Sequence, residues 1–406
     1  MSEVFGLRKE RKEMLKELIR KIHKGEDPEK LKTRFKDIFG SVTTTEIAEI
    51  EQELIQEGMP REEVMRLCEI HLKVFEEALE KDKVDSQAGH PVTILMSEHK
   101  KLIEFSERLK KAVEELKLAG DFEEGEDKLQ EIIDIVDHFK EAEKHYLREE
   151  NVLFPYLEKH GITEPPAIMW MDHDKIRSIK KEIFNMVESF QGFSFENFVN
   201  TLLYKAVELG DTMSSHFYKE NNILFPMGLH VITEEEWRDI RIQFDEIGYC
   251  CFTPPEVLTP VERKKEVSVQ VEDKMRLPSG SFTLAELKAV LNTLPVDITF
   301  VDKNDEVKYF NETKDRIFVR TRAVIGRKVQ QCHPQKSVHI VEKILDEFKK
   351  GTKDHADFWI NVNGRLIYIR YFAVRDEDGN YLGTLEVTQD ITEIKKIEGE
   401  RRLLDW

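Results

Sequence analysis

Two copies of one short motif carry the residues best suited to chemistry. The segments that begin at His145 and His216 both read His-x-x-x-Glu-x-Asn, followed by Val or Ile and then Leu-Phe-Pro. Residues four apart on a helix lie on one face, so His145 stands beside Glu149 and His216 beside Glu220. Two such helices facing one another would offer two imidazoles and two carboxylates that can bridge. That donor set suits a pair of iron ions better than it suits metals that prefer soft ligands.

Further histidines flank the two motifs. His99 and His173 each fall in a helical pattern of their own, and His138 lies seven residues, or about two helical turns, before His145. His90 is a weaker candidate, because the nine residues between it and His99 rotate a helix by about two and a half turns. A single buried histidine is more often a core residue, but the repeated motif favours a metal site. We predict the metal ligands His99, His138, His145, Glu149, His173, His216 and Glu220, with His90 as an additional candidate.

The elements that must position these residues are four long helices. Apolar residues recur at helical spacing over roughly 92–118, 124–159, 166–190 and 195–226, and glycine or proline residues separate the segments. This pattern is typical of an up-down four-helix bundle with short loops. A ferritin-like di-iron bundle is the nearest alternative, but it uses Glu-x-x-His where this chain has His-x-x-x-Glu. Zinc fits less well than iron, because structural zinc sites usually include thiolates.

With these residues in place, the stretch 90–226 resembles the hemerythrin-like, or HHE cation-binding, domain. The family motif is a His on the first helix, His-x-x-x-Glu on the second, a His on the third and His-x-x-x-Glu on the fourth. The residues that match it are His99, His145, Glu149, His173, His216 and Glu220. The resemblance implies two non-haem iron ions bridged by the carboxylates and by an oxo or hydroxo group, with dioxygen binding end-on at an open position.

The chain departs from the oxygen-carrying members of that family on the third helix. Those members have a second His one turn after the third-helix His, where this chain has Arg177. His138, on the second helix, is the substitute that the sequence offers. Glu150 and Asn221 take corresponding positions directly after the glutamates of the repeat, and we expect them to support the ligands or to face solvent.

The length and the changes of pattern along the chain predict a multidomain protein. Residues 1–85 are predicted to form an all-α region of unknown function, which resembles an uncharacterised domain family that often precedes such modules. The predicted boundaries that follow are 86–248 for the bundle, 249–284 for a proline-rich linker, 285–396 for an α+β domain and 397–406 for the start of a C-terminal helix.

The C-terminal domain alternates short strands with turns around one helix, which is predicted over roughly 335–350. The opening LPVDITFVDKNDEVKYFN, the GRKV turn and the closing YLGTLEVTQDITEIKK make residues 285–396 resemble a PAS domain. The resemblance implies ligand sensing or signal relay, together with a homodimer. His333, within a Cys-His-Pro sequence, and His339 sit where haem-binding PAS domains can supply an axial ligand. A capping or surface role is the more frequent one for a histidine at a helix start.

Composition limits the classes of function. The chain has 406 residues and a formal charge of -18, from 62 basic and 80 acidic side chains. Such a chain repels phosphate backbones and anionic membrane surfaces, so we expect neither nucleic acid nor membrane as a partner. The N-terminus lacks the apolar core of a signal peptide, and no apolar run approaches the roughly 20 residues of a membrane span. The four cysteines are scattered without a CxxC pair. A cytoplasmic protein without a disulfide framework is therefore expected.

The leading functional hypothesis is a cytoplasmic sensor. Its di-iron site would bind oxygen or nitric oxide, or respond to redox state, and its PAS domain would relay the change to an unknown signalling partner. The alternatives are an oxygen- or iron-binding or storage protein without signalling, and a di-iron oxidoreductase. The sequence supplies no acid–base pair or nucleophile beyond the metal ligands, so an enzyme is not the favoured interpretation.

Overall fold

The computed structural model describes residues 89–258, 275–277 and 279–400, together with 53, 55 and 57–60. Apart from those few residues, the helical region predicted over 1–85 lies outside the described part of the chain. The chain divides into two units, Met1–Glu262 and Arg263–Trp406. Within the described ranges, every helix is too short or too polar to serve as a membrane span.

Four helical rods form an up-down bundle in the first unit, as predicted, and the second and fourth rods each contain a π-helical turn. The first rod is α1 (Pro91–Ala119) and the third is α5 (Glu164–Glu188). The second rod comprises α2 (Glu126–Glu141), α3 (Glu143–Arg148), a π turn (Glu149–Leu153) and α4 (Phe154–Lys159). The fourth rod comprises α6 (Phe195–Lys219), a π turn (Glu220–Leu224) and α7 (Phe225–Val231).

Local sequence sets both ends of the first rod. His90 is the N-cap of α1, where its Nδ1 accepts a hydrogen bond from the Val92 backbone N–H at 3.2 Å. Pro91 occupies the first helical position, at which a missing N–H leaves no bond unmade. Gly120 ends the helix in the left-handed conformation, with φ of 90°.

Apolar stripes from the four rods pack into one core. On α1, the side chains of Leu102, Leu109, Val113 and Leu116 are fully buried at helical spacing. They join a cluster with buried residues of the other rods, among them Ile132, Phe139, Ile176, Ile183, Phe198 and Leu202. On α1 this cluster begins at Leu102, about one turn after His99, and Val92, Ile94 and Leu95 are buried on the other side of His99.

A further helix, α8 (Glu234–Ile247), packs against the bundle and leads into a buried segment. A capping box between Thr233 and Glu236 starts this helix, which buries Trp237. The residues after α8 belong to the linker predicted over 249–284, yet Cys250 and Thr253 are 4% and 6% exposed. Cys250, Thr253 and Val257 are therefore packed, whereas Cys251, Pro255 and Glu256 are exposed.

The second unit contains a five-stranded antiparallel sheet with one long helix, and it confirms the predicted α+β domain. A two-stranded hairpin and a helix come first, as β1 (Met275–Leu277), β2 (Gly280–Phe282) and α9 (Leu284–Thr293). The sheet is built from β3 (Asp297–Asp302), β4 (Val307–Phe310), β5 (His355–Val362), β6 (Arg365–Arg375) and β7 (Tyr381–Asp390).

The strands lie in the order β4-β3-β7-β6-β5. The helix α10 (Gln335–Lys350) covers one face of the sheet, where its Leu345 packs with Val301, Val307 and Val329. The helix predicted to begin at 397 does not continue through residues 397–400, where Gly399 adopts a left-handed φ of 68°. Residues 401–406 lie outside the described part of the chain.

The close contact between β7 and β3 makes Gly383 indispensable to the sheet. A Cβ at this position would lie 2.2 Å from the Val301 carbonyl oxygen of β3 and 2.8 Å from the Phe300 ring. We expect Gly383→Ala to lower the free energy of unfolding of this domain by about 1–3 kcal/mol, because backbone cannot move aside as a side chain can. Calorimetry of the full chain measures the change. Gly192→Ala is the matched control, since nothing lies within 4 Å of its Cβ position. Equal effects of the two substitutions would contradict the prediction.

Candidate metal centre

Six predicted ligands converge inside the bundle, with all four rods contributing. They form two groups of four that share two carboxylates, Glu149 and Glu220. The first group adds His99 and His145, and the second adds His173 and His216. Within each group, one ligand atom from every residue lies within 4.8 Å of the others. The arrangement is that of a paired site, with two imidazoles for each half and both carboxylates common to the two halves.

The inward-facing nitrogen and oxygen atoms of the six ligands lie close together. Nε2 of His99 lies 3.2 Å from a Glu220 oxygen, and Nε2 of His216 lies 3.2 Å from the other. Nε2 of His145 and Nε2 of His173 lie 3.5 and 3.4 Å from the same Glu149 oxygen. The Nε2 atoms of His99 and His145 are themselves 3.2 Å apart. Imidazole nitrogens and carboxylate oxygens that converge in this way are donors that iron accepts.

The outer nitrogen of each imidazole faces an oxygen atom supplied by a neighbouring rod. The Nδ1 partners are Asn221 Oδ1 for His99 (2.9 Å), Glu98 Oε2 for His145 (2.7 Å), Glu150 Oε1 for His173 (2.8 Å) and Asp172 Oδ2 for His216 (3.3 Å). A carboxylate or an amide oxygen can only accept, so each Nδ1 carries a hydrogen, and in the neutral form of each ring the Nε2 lone pair is directed inward. Such partners fix the tautomer and orientation of metal-binding histidines.

These partners run in a closed ring around the bundle. The first rod supplies Glu98 to the second, and the second supplies Glu150 to the third. The third rod supplies Asp172 to the fourth, and the fourth returns Asn221 to the first. We call Glu98, Glu150, Asp172 and Asn221 the orienters, because each fixes the direction of one imidazole. Each rod supplies one orienter to a neighbouring rod and carries one oriented imidazole, so no single rod can shift without disturbing two imidazoles.

Each carboxylate of the outer ring is neutralised by a buried or half-buried cation. Glu98 contacts the guanidinium of Arg148, and Asp172 contacts the ammonium of Lys219. Burial alone would raise the pKa of Glu98, but the charge of Arg148 and the hydrogen bond from His145 outweigh burial and hold that pKa well below its ordinary value.

Arg177 neutralises the charge of Glu150 in the same way. It donates from Nη1 and Nη2 to the two Glu150 oxygens at 2.7 and 3.1 Å, and it also binds Glu143. Burial would raise the pKa of Glu150, but Arg177 and the hydrogen bond from His173 lower it to about 2. Arg177, which takes the position of the second third-helix histidine of the oxygen-carrying members, thus holds Glu150 in place against His173.

The two shared carboxylates have no such cation among the described residues. Glu149 and Glu220 are 0% exposed, and all four of their oxygens lack a hydrogen-bond partner in the described part of the chain. Nε2 of His173 and Nε2 of His216 lack one as well. Buried charges without partners are costly, and metal ions would satisfy these atoms together. The inner site therefore holds two buried carboxylates that contact imidazoles but no Arg or Lys among the described residues, which is a donor set that a pair of iron ions fits.

A π turn begins at each shared glutamate, and the repeated Leu-Phe-Pro explains why. Pro155 and Pro226 have no N–H, so the ordinary helical bond to the preceding turn is lost. The Phe154 N–H instead reaches the Glu149 carbonyl, and the Phe225 N–H reaches the Glu220 carbonyl, both five residues back. Such widened turns are frequent at functional sites. The repeat thus encodes a backbone shape as well as its ligands.

Two predicted ligands, His138 and His90, are not brought to the site. His138 is half-buried, its Nδ1 bonds the Asp134 carbonyl at 2.7 Å, and its ring packs on Phe105. Seven residues place it two turns, or about 10 Å along the axis, from His145, which is too far to share a metal. His90 caps α1 and packs on Trp237. The expectation that either would complete the site is not supported.

His333 and His339, the two possible ligands predicted in the PAS domain, differ in burial. His333 is half-buried, and its Nδ1 bonds the Val329 carbonyl at 2.8 Å. Burial lowers the pKa of His333 below its ordinary value. His339 is exposed on α10.

Sequence reasoning missed the ring of orienters on the first and third rods, together with Arg148 and Thr253. Glu98 and Asp172 each stand directly before a ligand histidine, yet each serves a histidine of the next rod. An acidic residue directly before a candidate ligand was the available signal. Thr253, whose hydroxyl donates to Glu98, had no signal because it lies more than 100 residues away in a proline-rich stretch.

Three parts of the chain match known protein families. Residues 15–81 match a family of unknown function (DUF438), residues 90–228 match the hemerythrin HHE cation binding domain, and residues 287–392 match a PAS domain. A search of curated proteins gives no match to the chain.

Parts of the chain are also similar to solved structures. The C-terminal domain of a protein from Streptococcus mutans is 32% identical, with a TM-score of 0.30, over 31% of this chain and 98% of that one. The PAS domain from Bordetella pertussis BvgS is 21% identical, with a TM-score of 0.24, over 28% of this chain and 89% of that one. The PAS domain of a Colwellia psychrerythraea protein is 16% identical, with a TM-score of 0.22, over 27% and 98%. TM-scores this low carry no argument about function.

Sharing of carboxylates predicts how many metal ions each variant retains. Glu220→Ala should lose both iron ions, because Glu220 belongs to both groups of ligands. His216→Ala should keep about one iron per chain, since His216 belongs to one group only. Metal analysis after anaerobic loading with ferrous iron and desalting measures the stoichiometry. His138→Ala and His90→Ala are the controls and should match the parent chain. Retention of both ions by Glu220→Ala, or their loss from His138→Ala, would show that the site is assigned wrongly.

Removal of Arg177 should weaken the half of the site that holds His173. Arg177→Ala leaves the buried Glu150 carboxylate without its cation, so its hold on the His173 ring loosens. Loss of such an outer partner typically costs about 10–100-fold in metal affinity. Competition with a chelator of known affinity measures the change. Arg108→Ala, which removes an exposed pair with Glu131, is the matched control and should leave the affinity unchanged. Identical affinities for the two variants would refute the role of Arg177.

Proposed function

We propose that this chain, which contains a hemerythrin HHE cation-binding domain followed by a PAS domain, is a cytoplasmic sensor with a non-haem di-iron site. The site would respond to oxygen, to nitric oxide or to redox state. The observation that carries the proposal is the doubled and buried ligand set, in which two groups share Glu149 and Glu220. Four imidazoles and two bridging carboxylates are suited to two iron ions.

Burial restricts what can reach the site. The six ligand residues are at most 2% exposed. The rings of Phe217 and Phe225 stack on His99, with centroids 4.1 and 5.7 Å away. A substrate of many atoms would have to displace such packed rings, whereas a diatomic gas or an electron would not. This difference favours gas or redox sensing over the turnover of a large substrate.

Iron held here by the six ligands would supply reversible redox chemistry and would bind a small ligand. The residues of the chain would do the rest. Glu98, Glu150, Asp172 and Asn221 keep the imidazole lone pairs directed inward. The surrounding apolar side chains exclude water, which strengthens every electrostatic interaction in the site.

The PAS domain supports a signalling role over storage, because a storage protein has no need of a sensory module. Apolar side chains at Leu284 and Val290 of α9 are 70% and 46% exposed, which favours the homodimer that we include in the proposal. We do not include haem, since Thr299, Glu386 and Thr388 are buried polar residues on one face of the sheet and suit a porphyrin poorly.

The decisive experiment is metal analysis combined with absorption spectroscopy of the full chain. The chain is loaded anaerobically with ferrous iron, then reduced, oxidised, and exposed in turn to oxygen and to nitric oxide. We expect about two iron ions per chain and spectra that change with oxidation state or gas, because the ligand set is that of a di-iron site.

A matched variant separates the di-iron site from adventitious iron. Glu149→Ala/Glu220→Ala removes both shared carboxylates and should abolish the spectral changes. A chain that retains no iron would refute the di-iron proposal. Two retained ions with spectra insensitive to gas and redox state would favour storage instead. Steady consumption of a reductant would favour an oxidoreductase.

A further inference from the structure

Glu98 joins the metal centre to the chain segment that leaves the bundle. This carboxylate is 0% exposed and lies on α1 next to His99. Its Oε2 accepts hydrogen bonds from His145 Nδ1, at 2.7 Å, and from Arg148. Its Oε1 accepts one from the Thr253 hydroxyl. One side chain thus binds a candidate ligand on one edge and the departing segment on the other.

The departing segment, residues 249–257, is anchored at several points around this carboxylate. Tyr249 stacks under the Arg148 guanidinium at 4.9 Å, and Cys250 is buried with its sulfur 4.0 Å from Arg148 Nη2. Phe252 packs edge-on against Phe105 at 5.3 Å. These contacts hold Thr253 in place over Glu98 rather than leaving it to solvent.

Glu98 connects the ring of orienters to a residue beyond α8, because it accepts a hydrogen bond from the Thr253 hydroxyl. Glu150 and Asp172 contact cations of the bundle, Arg177 and Lys219, and Asn221 lies on the fourth rod itself. The departing segment is therefore tied to the half of the site that holds His99 and His145.

We propose that Thr253 is a positioning residue for this half of the metal centre, so that the state of the centre and the packing of residues 249–257 are coupled through Glu98. The inference rests on the proposed di-iron function. A change at His145 moves its Nδ1 hydrogen bond, and Glu98 cannot follow without straining the bond from Thr253. Coupling of two sites is reciprocal, so the segment must in turn alter the affinity of the site.

Removal of the Thr253 hydroxyl should lower the affinity of the site for iron. Thr253→Val keeps the shape of the side chain but leaves Glu98 Oε1 buried without its donor. Arg148 and His145 still hold the other oxygen, so we expect a loss of about 10-fold in affinity for one of the two iron ions, the lower end for such partners. Thr253→Ser retains the hydroxyl and should behave as the parent chain.

The test measures iron affinity and the hydrogen exchange of residues 249–258 in the full chain. Both are recorded for the parent, Thr253→Val, Thr253→Ser and Thr201→Val, with exchange compared between reduced and oxidised iron-loaded protein. Thr201 is the matched control, since its hydroxyl donates to Asn197 within α6 and touches no ligand. We expect exchange in 249–258 to differ between the two states in the parent and in Thr253→Ser, and that difference to fall at least twofold in Thr253→Val.

The outcomes separate this inference from the function on which it rests. Iron bound normally, with exchange in 249–258 independent of oxidation state, would overturn the coupling and leave the di-iron site standing. Equal affinities for Thr253→Val and Thr201→Val would overturn the positioning role. A parent chain that binds no iron would overturn both. A selective defect in Thr253→Val that serine does not show would establish the coupling.

Discussion

The mutual bracing of the four rods is the constraint on which the bundle's site depends. Each imidazole is oriented by an oxygen from the adjacent rod, and the four braces close into a ring through Glu98, Glu150, Asp172 and Asn221. A ligand on a lone helix would keep several rotamers and lose entropy on binding a metal. In a closed ring that entropy is lost when the bundle folds, because packing of the apolar core sets the register of every rod at once. Folding and preparation of the site are therefore one event.

Charge explains why the ring is stable while its centre is not. The outer carboxylates are each matched by Arg148, Arg177 or Lys219, so the braces are satisfied ion pairs. The inner pair, Glu149 and Glu220, contacts imidazoles but neither Arg nor Lys among the described residues. Buried charges that no Arg or Lys neutralises lower the stability of a fold, and proteins tolerate this loss of stability mainly at functional sites. The bundle is thus built around two buried carboxylates, Glu149 and Glu220, whose negative charge bound cations would neutralise.

The sequence predicted which candidate ligands lie together in each motif, because their spacing is local. His145 with Glu149, and His216 with Glu220, lie four residues apart, which places each pair on one helical face whatever surrounds it. The four rods and the five strands likewise followed from local periodicity. The prediction for His138 was wrong because periodicity gives the face of a helix but not the level at which a site lies. Partners across rods, such as Glu98 for His145, depend on which helices are neighbours, and spacing along the chain does not contain that. Thr253 was hidden for the same reason.

One brace differs from the other three, and that difference makes the two halves of the site unlike. His99 is oriented by the neutral amide of Asn221, whereas the other three imidazoles face carboxylates. A carboxylate at Nδ1 makes the imidazole a more basic donor, and an amide does so less. The half that contains His99 is therefore the poorer donor. Two identical metal ions bound here would therefore differ in electron affinity. A single added electron would reside preferentially on the ion next to His99, in the half of the site where Glu98 accepts a hydrogen bond from Thr253.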